Sequence, residues 1–188
     1  MFFKEFLNKV QQPFIIAEAG VNHNGDVEEA LKLVDAAVAA KCDAVKFQTW
    51  ITEDVYSKSK SVKPSYQQLG TPDTESEFDT VKKLELSFEQ FRQIKAYCDA
   101  QGIMFLSTPD ERVSADFLIE DLKVPFVKVA SQDVTNIPFL QYLAQKRVPV
   151  LLSSGGASLA EVVKAVETVQ TQTQDLALLH CVSSYPAP

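Results

Sequence analysis

The stretch FIIAEAGVNHNG at residues 14–25 decides the fold, together with DAVKFQTW at residues 43–50. Each stretch starts as a continuous apolar run and ends abruptly in residues that can carry out chemistry. Glu18 and His23 lie at the end of the first run, and Lys46 lies in the second. Continuous apolar runs are typical of strands that are buried on both faces, as in a parallel sheet covered by helices. A charged group at the end of such a strand indicates a role outside the sheet.

The same pattern recurs along the chain and predicts six strands, over residues 14–19, 44–48, 103–107, 126–130, 148–153 and 176–181. Amphipathic segments separate these strands. Asp26, Ser87 and Ser158 each precede such a segment and have Glu or Gln three residues later, which predicts three helices that begin in capping boxes. In the last of these helices, Leu159 and Val163 are expected to face inward. Weaker patterns predict helices over 110–121 and 136–146, and Gly102 is expected to end a helix.

Residues 50–86 interrupt this alternation and predict a long loop, either a lid or a tolerated insertion. The repeated strand–helix units predict an α/β fold, either a doubly wound sheet or a (β/α)8 barrel. Six strands are fewer than the eight that a closed barrel of this type needs.

Composition narrows the class of protein. The 188 residues suffice for one domain with a sizeable core, and the net charge of −7 argues against a nucleic-acid or anionic-membrane partner. The cysteines Cys42, Cys98 and Cys181 have no metal-type spacing and are expected to be free thiols in a reducing compartment. No apolar run approaches the roughly 20 residues of a membrane span, and the start of the chain does not resemble a signal peptide. A cytoplasmic location is expected.

Polar side chains follow the end of every predicted strand. In chain order they are Glu18, Asn22, His23, Lys46, Gln48, Ser107, Thr108, Lys128, Ser131, Ser153, Ser154, His180, Ser183 and Tyr185. Because parallel strands end at one edge of a sheet or barrel, these residues are expected to share one rim. Two ammonium groups, several hydroxyls and the Gly155–Gly156 turn would bind an anion, so a small phosphorylated or carboxylated substrate is predicted.

Each of these residues also has a purely structural interpretation. Lys46 or Lys128 could form a buried salt bridge with Glu18, and the serines could be helix caps. His23 could only shape a turn through its own backbone, and His180 could be a core histidine. The repetition of polar residues at strand after strand favours the functional interpretation.

The segments IIAEAGVNHNG, DAVKFQT, FLSTP, VKVAS, LLSSGG and LLHCVSSYP, taken in order, resemble the sialic acid synthase (N-acetylneuraminate synthase) family and cover nearly the whole chain. The resemblance implies a (β/α)8 barrel of TIM type followed by a small antifreeze-like domain. It also implies the condensation of phosphoenolpyruvate with an acylated mannosamine-type sugar, which gives a nonulosonic acid and phosphate. In that reaction a divalent metal, Mn²⁺ or Mg²⁺, activates the sugar aldehyde.

The resemblance assigns roles residue by residue. Phosphoenolpyruvate ligands would be Lys46, Lys128, Ser131 and Ser153, with Ser183 where the family usually has a phosphate-binding Asn. Sugar-side or catalytic residues would be Glu18, Gln48, Thr108 and Tyr185. The family's metal-binding histidines come from later strands, and His23 and His180 do not match them. Lys41 stands where the family usually has Gly, which predicts an altered helix exit.

These departures predict that residues 1–188 are the N-terminal part of a synthase barrel, truncated to about six β/α units, without the antifreeze-like domain. Such a chain is expected to be inactive alone and to self-associate, for example as a homodimer. Two other functions stay open. One is a Schiff-base aldolase that uses Lys46 or Lys128, and the other is a non-catalytic phosphate-binding or assembly module.

Overall fold

Six parallel strands form the frame of the fold. The structure is a computed structural model that describes residues 3, 5, 6, 12–58 and 76–183. The strands are β1 (Ile16–Gly20), β2 (Ala44–Thr49), β3 (Met104–Pro109), β4 (Val127–Val129), β5 (Val150–Ser153) and β6 (Leu176–Leu179). All six predicted strands are confirmed, with ends that differ from the prediction by at most two residues.

The strands follow one another in space in the order of the sequence. One parallel sheet has the order β1-β2-β3 and the other has the order β4-β5-β6. β3 lies beside β4, although no backbone ladder joins the two sheets. A doubly wound sheet reverses its strand order at a switch point, whereas a (β/α)8 barrel keeps the sequential order. The observed order is therefore that of the barrel type of α/β fold.

Helices connect the strands. They are α1 (Val27–Ala39), α2 (Thr52–Val55), α3 (Glu77–Leu84), α4 (Phe88–Gln101), α5 (Arg112–Asp116), α6 (Ile137–Gln145) and α7 (Leu159–Gln170). The predicted capping boxes at Ser87 and Ser158 are confirmed. Asp26 caps α1 through the Glu28 amide, but its predicted capping box is wrong because Glu29 pairs instead with Lys32 at 2.7 Å. In the described part of the chain, no helix combines the length and the apolarity that crossing a bilayer requires.

The helix exits follow the backbone requirements of each turn. Gly102 ends α4 with a φ of 73°, as predicted from its position. Lys41 adopts a φ of 58° after α1, so a residue with a Cβ occupies a left-handed turn that favours Gly. The predicted helix over 110–121 begins only at Arg112, because the Glu111 carboxylate caps it there, and it continues as a π-helix over Phe117–Asp121.

The prediction of a loop over residues 50–86 is wrong at both ends, where α2 and α3 lie. Residues 59–75, the middle of the predicted lid or insertion, are outside the described residues. α2 and α3 are tied to each other. The Glu85 carboxylate accepts a hydrogen bond from the Thr52 amide at 2.8 Å, and Lys82 pairs with Glu53 at 2.9 Å. We refer to these contacts as the α2–α3 clamp.

The sheets have two apolar faces. One face packs against the helices and carries residues such as Val45, Phe105 and Val127. The opposite face, which we call the inner face, carries Ala44, Leu106, Phe126 and Leu151, and Phe3 covers it with its ring 5.3 Å from that of Phe126. Because side chains alternate along a strand, the residues two positions further also lie on the inner face, at the carboxyl end. They are Lys46, Thr108, Lys128 and Ser153.

Two further predictions concern the inward face of α7 and the state of the cysteines. Leu159 and Val163 were expected to face inward from α7, but they are 79% and 47% exposed. Their neighbour Val162 is buried and fills that side of the helix. The cysteines Cys42, Cys98 and Cys181 are free, as predicted.

Candidate active site

A charged cluster spans the carboxyl ends of the first three strands. Lys46 donates to the Glu18 carboxylate at 2.7 Å and to the Thr108 hydroxyl at 3.2 Å. The strand register places these residues together, since Glu18 pairs with Lys46 across β1 and β2. The Lys46 residue is 8% exposed, whereas the Glu18 side chain is half exposed. The salt bridge and the rim position, which the sequence left as alternatives, therefore occur together.

Gln48 lies at the same rim, beside Glu18. Gly20 has a φ of 53°, and a Cβ built on it would lie 3.2 Å from Glu18 Oε1 and 3.9 Å from Gln48 Nε2. Gly20 therefore allows both the left-handed turn and the close approach of these two side chains. The Glu18 side chain is half exposed and Gln48 is partly buried.

Hydroxyl groups and a glycine turn form a second cluster at the carboxyl ends of β4, β5 and β6. The Gly155 amide donates to Ser131 Oγ at 2.9 Å. A Cβ on Gly155 would lie 2.9 Å from the hydroxyl oxygens of both Ser131 and Ser183. Ser153, at the end of β5, is 6% exposed. The structure thus brings Ser131 and Ser183 around one turn, which we call the Gly155 turn, and Ser153 precedes that turn by two residues.

Lys128 connects the two clusters. Its ammonium group donates to the Val129 carbonyl at 2.8 Å, and the residue is 8% exposed. Burial, and then the charge of Lys46, lower the pKa of Lys128 to about 8, against the opposing effects of Cys181 and Glu18. Lys128 is therefore close enough to Lys46 and Glu18 of the first cluster, and to Cys181 after β6, to interact with their charges.

Two carboxyl groups at this rim, those of the half-buried Asp110 and the buried Asp133, were not identified from the sequence. Asp110 directly follows β3, and Asp133 lies in the turn after β4. Burial and then the charge of Asp133 raise the pKa of Asp110 to about 7, although Lys46 opposes this. Burial also raises the pKa of Asp133, whose Oδ2 has no hydrogen-bond partner within the described residues. Their positions shortly after strand ends are the same signal that identified Thr108 and Ser131.

Several predicted rim residues are placed elsewhere. Ser107 lies on the helix-facing side, where its hydroxyl bonds to that of Thr49 at 2.7 Å. Ser154 donates to the Leu179 carbonyl and so joins β5 to the end of β6. His180 is exposed, so its interpretation as a core histidine is wrong. Tyr185 lies outside the described residues.

The histidines do not provide a metal site. His23 is fully buried, its Nδ1 accepts from the Gly25 amide at 3.0 Å, and burial lowers its pKa. This geometry matches the turn-shaping interpretation. Among the residues that the structure describes, no three His, Cys, Asp or Glu side chains are grouped so that they could hold a metal ion. The described residues therefore do not fit the divalent metal that the resemblance implies.

Comparison with known proteins identifies the family. A model described as the NeuB family matches residues 33–188, which is most of the chain. The chain therefore belongs to the NeuB family.

Individual relatives agree with this assignment. The N,N'-diacetyllegionaminic acid synthase of Legionella pneumophila is 42% identical over 93% of this chain and 50% of its own length. The crystal structure of N-acetylneuraminic acid synthetase from Leptospira borgpetersenii, in complex with citrate, has a TM-score of 0.79 at 34% identity, over 93% of this chain and 56% of that one. A truncated 3-deoxy-D-arabino-heptulosonate 7-phosphate synthase from Thermotoga maritima (TM-score 0.59, 11% identity, covering 88% of this chain and 50% of that one) shares the fold alone. The chain spans about half the length of the relatives it matches.

Proposed function

We propose that this NeuB-family chain contributes the phosphoenolpyruvate-binding side of a nonulosonic acid synthase site. The substrates would be phosphoenolpyruvate and an acylated mannosamine-type sugar, and the products would be a sialic-type acid and phosphate. The observation that carries the proposal is the pair Lys46 and Lys128, both 8% exposed and both on the inner face. A buried ammonium group is costly unless it is paired, and within the described residues only Lys46 has a carboxylate partner, Glu18, so an anion that binds beside Lys128 would offset that cost.

The lysines would offset much of the negative charge of the donor substrate. Phosphoenolpyruvate carries up to about three negative charges, and charge–charge interactions are strong in a site that excludes water. Lys46 is already oriented by Glu18 and Thr108, at 2.7 and 3.2 Å. Because the Glu18 side chain is half exposed, it can turn to solvent or to the second substrate when the anion pairs with Lys46.

The Gly155 turn would bind the phosphate oxygens. The hydroxyls of Ser131 and Ser183 lie close to Gly155, and the Gly155 amide donates to Ser131 Oγ, which leaves the Ser131 hydroxyl hydrogen to donate to a phosphate oxygen. Ser153, two residues before Gly155, would supply a further hydroxyl. Ser183 stands in for the usual Asn of the family and offers one hydroxyl in place of an amide group. This arrangement holds the leaving phosphate while the enol carbon remains directed toward the open rim.

The sugar would bind on the side of Glu18, Gln48 and Thr108. The enol carbon then attacks the aldehyde carbon, and the phosphate leaves after water adds to the donor. The half-exposed Glu18 carboxylate and the Gln48 amide are suited to orient sugar hydroxyls by hydrogen bonds. A divalent metal, a catalytic role of Tyr185, and self-association remain predictions from the family resemblance, and no contact in this proposal depends on them.

Calorimetry with phosphoenolpyruvate tests the donor side directly. We expect the 188-residue chain to bind it and Lys128→Met to weaken binding about 10- to 100-fold, the loss expected for one charged hydrogen bond of about 1.5–3 kcal/mol. The control is Lys164→Met, which removes an exposed lysine from α7. Equal affinities of the two variants would refute the proposed role of Lys128.

Turnover is a separate question. The sequence predicts that the chain is inactive alone, and an assay of released phosphate with both substrates and added Mn²⁺ measures this. Clear turnover would refute that prediction and leave the binding proposal intact. Absence of phosphoenolpyruvate binding would count against the donor site itself.

A further inference from the structure

The two lysines of the inner face differ in their surroundings. Lys46 forms a 2.7 Å ion pair with Glu18 and also donates to Thr108. Lys128 donates only to the Val129 carbonyl, and within the described residues no carboxylate lies within ion-pairing distance of it. We propose that Lys128, and not Lys46, is a covalent site for small α-keto acids, which it captures as an imine.

The surroundings of Lys128 favour an uncharged amine. The ionisable groups that act on it are Lys46 from β2, Glu18 from β1 and Cys181 after β6. Lys46 is a neighbouring cation, and Glu18 already neutralises that cation more closely than it does Lys128. Burial together with Lys46 lowers the pKa of Lys128 to about 8. A lysine in an apolar setting beside a second cation is a known means of activating an amine as a nucleophile.

The site can also select the ligand. An α-keto acid brings a carboxylate, which pairs with Lys46, and a carbonyl group, which then faces the Lys128 amine. The amine nitrogen attacks the carbonyl carbon, and a C–N bond forms. The carbonyl oxygen leaves as water with both amine protons, and the C=N bond of the imine results. Added borohydride supplies hydride to the imine carbon, and solvent supplies the proton, which gives a stable secondary amine.

The inference does not depend on the proposed synthase function, because it uses only the difference between the two lysines. Its test is reductive trapping on the full 188-residue chain with pyruvate and borohydride, followed by peptide mass mapping. At about pH 8, half of Lys128 is neutral, which is roughly 100-fold more than for an ordinary lysine. We expect Lys128 to be labelled at least about tenfold more than Lys46 or the exposed Lys164.

The pH profile and a variant sharpen the test. Labelling of Lys128 should rise with a midpoint near pH 8. Lys128→Arg should lose this label and leave the labelling of Lys164 unchanged. If the variant does not fold, the site-resolved map of the natural chain still decides the question. Predominant labelling of Lys46, or equal labelling of Lys128 and Lys164, would overturn the inference.

Inorganic phosphate separates this inference from the proposed function. Phosphate that occupies the Gly155 turn and both lysines should suppress the label on Lys128. A strong label that phosphate does not reduce would support the imine site and count against the phosphate site. Phosphate binding measured by calorimetry, together with no label on Lys128 in the absence of phosphate, would support the phosphate site and overturn the imine site.

Discussion

Asn in place of Asp110 removes a carboxyl group that is costly to ionise in the folded protein. Burial and Asp133 raise the pKa of Asp110 from 3.8 to about 7. The folded state binds this proton more tightly than the unfolded state. The protonated Asp110 carboxyl therefore contributes fully to the stability of the folded chain below about pH 4, and this contribution is lost as the pH rises through about 7. A rise of about 3 in the pKa corresponds to at most about 4 kcal/mol of lost stability at high pH.

Urea denaturation of Asp110→Asn and of the natural chain measures this cost. We expect the variant to be the more stable, with an advantage that grows by about 2–3 kcal/mol between about pH 5 and about pH 8. The same substitution at the exposed Asp54 of α2 is the control, and its effect should not change over this range. An advantage of Asp110→Asn that is independent of pH would refute the conclusion that Asp110 holds a proton near neutrality.

Three other substitutions test the inner face and the turns. Lys128→Met should raise the free energy of unfolding by up to about 3 kcal/mol at pH 7. Burial lowers the pKa of Lys128 to about 8, and the cost of burying its charge disappears only as the pH rises from there towards 10.5. An equal gain in stability in urea titrations at about pH 7 and about pH 10 would contradict this. Gly155→Ala places a Cβ 2.9 Å from two serine hydroxyls and should weaken phosphoenolpyruvate binding about tenfold in calorimetry. The control is Gly102→Ala. The added Cβ would have no other atom within 4 Å, but Ala is strained at the φ of 73°. This variant should lose about 1 kcal/mol of stability without any change in phosphoenolpyruvate binding. Lys41→Gly should stabilise the chain by about 0.5–1 kcal/mol in thermal denaturation, because Lys41 has a φ of 58°; a lower stability would show that this turn is not strained.

The strands were predictable because buried parallel strands are marked by continuous apolar runs, which the sequence shows directly. The face of the sheet on which each side chain lies at the strand ends was harder to predict from the sequence. Ser107 and Thr108 are adjacent and both polar, and only the register with β2 decides that Thr108 reaches Lys46 while Ser107 bonds to Thr49. A shift of one residue would exchange the two faces.

Features that depend on tertiary neighbours were missed or mispredicted. Asp110 and Asp133 lie after different strands, and burial in the folded chain raises the pKa of both; the charge of Asp133 raises the pKa of Asp110 further. Glu29 had the right spacing for a capping box, but Lys32, three residues further, competes for its carboxylate. Leu159 follows the apolar periodicity of α7 and is nonetheless 79% exposed, since periodicity does not show how wide the covered face is.

The α2–α3 clamp joins two points of the chain that are 33 residues apart in the sequence. Thr52 and Glu85 are joined directly, so the chain departs from and returns to one fixed point beside the strands. The entropy of closing a chain segment depends only weakly on its length when the ends are already fixed. The clamp contacts therefore help to offset the entropy cost of closing the chain between Thr52 and Glu85, while the β1–β2 pairing holds Lys46 beside Glu18.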